Sequence, residues 1–133
     1  MTTNELRKIL IIEDDEDILL LIKHCFKKTP EIIVKCLKSS EGAMEEALIF
    51  HPDLILLDVM LPTVSGIDLF NDFQKCASLS SIPVVFFTAK AQPEEIDSYK
   101  KLGVLRVIMK PFDPLSIVDT IKSIWNSYSS RPN

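Results

Sequence analysis

Apolar residues in this chain fall into short uninterrupted runs separated by more polar segments. Three runs are rich in β-branched or aromatic residues: KILII (8–12), LILL (54–57) and IPVVFFT (82–88). None of them alternates polar with apolar residues, which predicts strands covered on both faces, as in a parallel sheet flanked by helices. Two weaker strand candidates are IIVKCL (32–37) and LRVIM (105–109).

The segments between these strands have helical spacing. Apolar residues recur with a helical period, and this predicts amphipathic helices. The predicted helices include residues 41–50, 66–76 and 93–102, and apolar positions spanning 18–26 and 117–125 mark the first and the last helix.

Several helix ends carry residues typical of caps and breaks. Either Ser39 or Ser40 could cap the second helix. Proline at the first turn and glycine just past the end predict a fourth helix between Pro93 and Gly103. Pro114 is expected to open the last helix in the same way.

Strands and helices therefore alternate along the chain, with short connections. This order predicts an α/β fold: a flavodoxin-like, doubly wound, five-stranded parallel sheet of strand order 2-1-3-4-5 with five helices. We expect one domain over 1–133, with a core of about 7–126 and a polar tail over 127–133. This topology places a crevice at the carboxyl ends of strands 1 and 3, where function is to be sought.

Composition narrows the classes of function. No apolar stretch is long enough to span a membrane, and the N-terminus lacks the apolar core of a signal peptide, so we expect a soluble, cytoplasmic protein without membrane contact. The net charge of −4 gives no basic surface for direct nucleic-acid binding. Three widely spaced cysteines predict neither a disulfide framework nor a zinc site.

Acidic residues gather at the predicted crevice. Strand 1 ends in EDDED (13–17), and strand 3 ends in Asp58. One interpretation is that the acidic run only caps the first helix, which accounts for residues 15–17 but leaves Asp58 unexplained. The other is a divalent cation, Mg²⁺ or Mn²⁺, because such cations prefer carboxylate oxygens and Mg²⁺ often joins them to a phosphoryl group.

Two further polar residues end neighbouring strands. Thr88 ends the fourth strand and Lys110 follows the fifth. Each taken alone is consistent with a strand-end hydroxyl or a solvated lysine. Together with a cation, they could neutralise the oxygens of a phosphoryl group during transfer, and Asp58 could then be the nucleophile.

The stretches IIEDD, LLDVMLPTVSG, FFTAK and KPF occur in this order along the chain. Through them the chain resembles the receiver domain of two-component response regulators over about residues 7–126. The resemblance implies that Asp58 accepts a phosphoryl group from a histidine kinase or a histidine phosphotransfer protein. The protein would then take part in its own phosphorylation and dephosphorylation without being an enzyme, and would signal to an unknown downstream protein.

The resemblance also implies roles for the surrounding residues. Asp14 would bind Mg²⁺ directly, Glu13 mainly through water, and the Met60 backbone carbonyl would complete the protein ligands together with Asp58. Thr88 would bind a phosphoryl oxygen, and Lys110 would pair with Asp58 and then with the phosphate. The Lys110–Pro111 bond is expected to be cis, and the small Ala89 leaves the site open. Lys90 could screen the phosphate from water or be merely solvated.

Val107 departs from the family pattern, because receivers usually carry an aromatic residue at this switch position. Movement of Thr88 would then couple to Ile96, Phe87 or Tyr99, or the switch would be weak. An alternative function follows from this departure: a pseudo-receiver that acts as a constitutive docking domain. A phosphatase with an Asp nucleophile is disfavoured, because no second carboxylate lies two residues after Asp58 to act as general acid.

Overall fold

The computed structural model describes residues 5–89 and 92–130. Five parallel strands form one sheet in the order β2-β1-β3-β4-β5. The strands are β1 (Lys8–Ile12), β2 (Ile33–Leu37), β3 (Leu54–Asp58), β4 (Val84–Thr88) and β5 (Arg106–Met109). The helices are α1 (Glu16–Cys25), α2 (Ala43–Phe50), α3 (Gly66–Gln74), α4 (Pro93–Leu102) and α5 (Ile117–Ser129). The predicted fold class and strand order are confirmed.

Helices cover both faces of the sheet, which explains the uninterrupted apolar runs. Every residue of β3 and β4 is buried. Successive side chains of these strands enter two separate apolar clusters, one against each helical layer. On one face lie α2, α3 and α4, with Phe70, Phe73 and Tyr99 among their buried residues. On the other lie α1 and α5, including the buried Trp125.

The register of the central strands decides what meets at the carboxyl edge. Asp58 of β3 is paired with Phe87 of β4, and Thr88 is paired with Met109 of β5. The last hydrogen-bonded pair of β1 and β3 is Ile12 with Leu57. The residues that follow β1 therefore lie beside Asp58, at the edge where the crevice was predicted.

Several predicted boundaries are corrected. The last helix begins at Ile117, because residues 114–116 form a turn in which the N–H groups of Ser116 and Ile117 both donate to the Asp113 carbonyl. That helix runs to Ser129, so residues 127–129 of the predicted tail are helical. Neither Ser39 nor Ser40 caps α2 with its side chain; the helix follows Gly42, whose φ of 74° lies in the left-handed region. The expectation of a serine cap is wrong.

In the part of the chain that the structure describes, no helix is long and apolar enough to cross a lipid bilayer.

Candidate functional site

Three carboxylates meet where β1 and β3 end. Glu13, Asp14 and Asp58 each offer an oxygen, and these three oxygens lie within 4.8 Å of one another. Glu13 and Asp58 are buried, with 1% and 2% of their surface exposed, whereas Asp14 is exposed. The site is thus open to solvent on the Asp14 side and closed beneath.

The acidic run of residues 13–17 divides into two parts. Asp15 is the N-cap of α1, and its Oδ1 accepts hydrogen bonds from the backbone N–H groups of Asp17 and Ile18. Glu16 and Asp17 lie in the first turn, where negative charge is favourable. The capping interpretation therefore holds for residues 15–17, and the other two residues of the run belong to the site.

Lys110 lies between two buried carboxylates. Its Nζ contacts Glu13 Oε1 and lies 3.4 Å from Asp58 Oδ2, and only 16% of its side chain is exposed. The backbone N–H of Lys110 donates to the Thr88 carbonyl, which extends the pairing of β4 and β5 to the site. The Lys110 ammonium is therefore part of the crevice and is not a solvated surface group.

Burial displaces the pKa of Glu13 from its ordinary value. Removal from water raises the pKa of this carboxyl from 4.5 to about 7. The Lys110 ammonium opposes this change, and the neighbouring Asp58 adds to it. Charge on Glu13 is thus costly at neutral pH unless further positive charge is nearby.

Backbone contacts fix the Asp58 carboxylate. Its Oδ1 accepts a hydrogen bond of 3.0 Å from the Met60 N–H. Its backbone carbonyl is approached so closely by Gly66 that a Cβ on that glycine would lie 2.1 Å from the oxygen. The Gly66 N–H also donates to the Val59 carbonyl. Glycine is required at position 66 because the start of α3 packs directly on the end of β3.

The donor set fits a small divalent cation. Carboxylate oxygens are hard ligands, and Mg²⁺ is commonly held by one or two carboxylates with water completing its shell. Glu13 Oε1 is buried and receives no directed hydrogen bond among the described residues, although the Lys110 ammonium lies against it. An additional cation at this point would favour the ionised form of Glu13, against the burial that raises its pKa.

The remaining predicted site residues lie around this centre. Thr88 is completely buried at the end of β4, and Ala89 after it is exposed. The Lys110–Pro111 peptide bond is cis, as the resemblance implies. Met60 has a largely exposed side chain, so only its backbone belongs to the site. Lys90 lies outside the described residues.

Val107 is half-buried and is the β5 register partner of Phe86. Phe86 in turn contacts a ring of α4: Tyr99 packs edge-on against it with centroids 5.2 Å apart. Phe70 of α3 packs on the same Phe86 ring. Tyr99, one of the residues proposed to couple to Thr88, therefore packs in the same apolar cluster as Val107.

Two contacts of Lys110 were not predicted from the sequence. The first is the contact between Lys110 and Glu13, because the resemblance implied only Asp58 as the partner of this lysine. The second is Phe87, whose ring centroid lies 4.9 Å from Lys110 Nζ. The predicted strand order places positions 58, 87 and 108 in adjacent strands, and the alternation of β4 would have placed Phe87 on the Lys110 side.

The molecule is thus a doubly wound α/β protein with three carboxylates at its carboxyl edge and a lysine against two of them. The family model described as the response regulator receiver domain matches residues 9–122. The chain belongs to this family, and it is a receiver domain of the kind found in two-component signal transduction.

Relatives of differing length share this domain. The chain is 32% identical over 129 residues to protein RcaC of Microchaete diplosiphon, covering 94% of this chain but only 19% of that protein. It is 30% identical to the polar-differentiation response regulator DivK of Brucella ovis, covering 88% of this chain and 94% of that protein. The chemotaxis response regulator CheY4 of Vibrio cholerae has the same fold, with a TM-score of 0.81 at 21% identity over 90% of this chain and 99% of that one.

Proposed function

We propose that this domain is a phosphorylation-dependent receiver that accepts a phosphoryl group on Asp58. The observation that carries the proposal is the placement of Asp58: a buried carboxylate at a strand end, fixed by the Met60 N–H and faced by the Lys110 ammonium. Buried charges in proteins are normally paired, whereas among the residues that the structure describes one ammonium, that of Lys110, is shared by two buried carboxylates.

Glu13, Asp14 and Asp58 would hold Mg²⁺ or Mn²⁺, with the Met60 carbonyl as the further protein ligand. When bound, the cation supplies positive charge that stabilises the phosphoryl oxygens and the carboxylates around them. The family membership and the donor chemistry support this assignment.

Transfer would proceed by attack of an Asp58 carboxylate oxygen on the phosphorus of a phosphohistidine. The new O–P bond forms as the N–P bond of the donor breaks, and the imidazole leaves and takes up a proton. Lys110, at 3.4 Å from Asp58 Oδ2, would pair with the incoming phosphoryl oxygens. The Thr88 hydroxyl would donate to another of these oxygens, with Ala89 leaving the approach open.

The phosphodonor would be a histidine kinase or a histidine phosphotransfer protein, and the output an altered contact with a downstream protein. In support, apolar side chains are exposed to a partner, among them Leu115 on the connection after Lys110 and Leu21 on α1. Both line one cavity of about 340 Å³ between these elements. The absence of direct nucleic-acid and membrane contact and a cytoplasmic location stay predictions.

A small phosphodonor tests the proposal. The protein is incubated with acetyl phosphate and Mg²⁺, and its intact mass is followed. We expect one acid-labile phosphoryl group, which is lost in Asp58→Asn and retained in Asp72→Asn, a matched variant on the exposed side of α3. Absence of labelling, or labelling that survives Asp58→Asn, would contradict the proposal.

A pseudo-receiver is the second candidate, and the residue that favours it is Val107. Valine cannot make the ring movement of an aromatic switch residue, so labelling at Asp58 need not change the surface. Amide exchange over 93–125, measured with and without phosphodonor, separates the two functions. A change in the amide exchange of α4 on labelling, in either direction, supports the receiver. An unchanged exchange profile in a labelled protein supports the docking domain.

A further inference from the structure

We infer that Phe87 is a positioning residue that holds the Lys110 ammonium over the phosphorylation site through a cation–π contact. The inference rests on the proposed function, because it concerns how the lysine of that site is placed. Phe87 would thus have a role in the site in addition to its place in the hydrophobic core.

The path of Lys110 across the sheet is the first observation. Asp58 ends β3 and Lys110 follows β5, and β4 lies between these two strands. Strands of a sheet are about 4.8 Å apart, so the lysine must reach across roughly 10 Å, two strand spacings, to approach Asp58. Residue 87 is the register partner of both Asp58 and Ile108, so its side chain lies directly under that path.

The second observation is the contact itself. Lys110 Nζ lies 4.9 Å from the centroid of the Phe87 ring, within the range of a cation–π interaction. The Phe87 side chain is completely buried, so water does not compete with the ammonium for the ring. Phe112, two residues after Lys110, packs against Phe87 with centroids 5.5 Å apart. Phe112 therefore supports the Phe87 ring, and the Phe87 ring contacts the ammonium.

The third observation is that two buried carboxylates compete for the Lys110 ammonium. Asp58 ends β3, and Glu13 follows β1, which lies one strand farther from Lys110. Contact with Glu13 alone would draw it away from the nucleophile. The Phe87 ring gives the ammonium a third, uncharged partner midway along its path, and so favours the position shared between the two carboxylates.

A structural role and a positioning role are separated by changing the ring's electrons without changing its shape. Trifluorinated phenylalanine is introduced at Phe87 in the full chain, and the same residue at Phe73 serves as the control. Phe73 is equally buried but lies in the opposite cluster, on α3. Fluorine weakens the negative face of the ring and leaves apolar packing nearly intact.

At Phe87, we expect labelling by acetyl phosphate and Mg²⁺ to slow about fivefold, as for the loss of one partly desolvated cation–π contact. In NMR spectra, the ε-methylene protons of Lys110 should lose the upfield shift caused by the ring and move towards those of an exposed lysine. The control at Phe73 should change neither measurement. An unchanged rate at Phe87, or equal slowing at Phe73, would overturn the assignment.

The two measurements also keep this inference distinct from the proposed function. If the parent protein is not labelled at all, the phosphoacceptor proposal fails. The Lys110 resonance then decides the contact alone: a shift on fluorination of Phe87 supports positioning of the lysine, and an unmoved resonance refutes it.

Discussion

Replacement of Glu13 by glutamine should stabilise the metal-free protein at alkaline pH. Ionised Glu13 is unfavourable in the folded state, because burial raises its pKa from 4.5 to about 7. A group whose pKa is raised on folding costs stability as pH increases from its unfolded to its folded pKa. For this carboxyl the loss develops between pH 4.5 and about 7. Glutamine keeps the shape of the side chain and has no charge to bury.

The size of the effect follows from the displacement of the pKa. A difference of about 2.5 pKa units corresponds to about 3 kcal/mol in the free energy of unfolding at about pH 8. At about pH 5 the wild-type carboxyl is protonated in the folded state, and the advantage of Glu13→Gln should shrink to about 1 kcal/mol. The groups that set this balance are Asp58, Lys110 and the Asp15 N–H, which donates to Glu13 Oε2.

Urea unfolding in EDTA at the two pH values measures these differences. Glu94→Gln on the exposed face of α4 is the control and should change stability by less than about 0.5 kcal/mol. With saturating Mg²⁺, wild type should gain more stability than Glu13→Gln, since the variant has lost a negative ligand. A Glu13→Gln protein that is less stable than wild type at alkaline pH without metal would refute this reasoning.

Other predictions concern residues that support the site. Gly66→Ala places a Cβ 2.1 Å from the Asp58 carbonyl, so it should cost about 3 kcal/mol in urea unfolding and slow labelling of Asp58, whereas alanine at the exposed Gly42 should leave labelling unchanged. Tyr99→Leu removes the ring on Phe86 and should cost about 2 kcal/mol, with faster amide exchange over α4; unchanged exchange would contradict this anchoring role. Asp53→Ala leaves two N–H groups at the start of β1 without their acceptor and should lower the free energy of unfolding by about 1–2 kcal/mol, visible as a lower midpoint.

Hydrophobic patterning was sufficient for the architecture because burial on both faces leaves a strong signal. The run at 8–12 became β1 without a change of boundary, and the proline and glycine around 93–102 marked α4 correctly. The predictions of helix starts were wrong where the backbone conformation, rather than a capping side chain, sets the first residue of the helix. The turn after the cis Lys110–Pro111 bond delays α5 until Ile117, and a left-handed Gly42 stands where a serine cap was expected.

The candidate site was predictable in its members but not in its pairings. Strand ends in a parallel sheet must meet, so Glu13, Asp14 and Asp58 could be grouped from topology alone. Which carboxylate the lysine contacts more closely depends on the positions of the side chains in space, and spacing along the chain does not contain them. The role of Phe87 was hidden for another reason: an aromatic residue in a buried strand satisfies the core pattern whether or not a cation lies above it.

The central claim is that Asp58 carries the phosphoryl group, and chemical trapping at that residue tests it most directly. After incubation with acetyl phosphate and Mg²⁺, borohydride reduction converts an aspartyl phosphate into homoserine, and peptide mass spectrometry locates it. The site described here predicts homoserine at position 58, dependent on Mg²⁺ and absent without phosphodonor. Homoserine at another aspartate, or an unmodified position 58 in a folded protein with Mg²⁺ present, would contradict it.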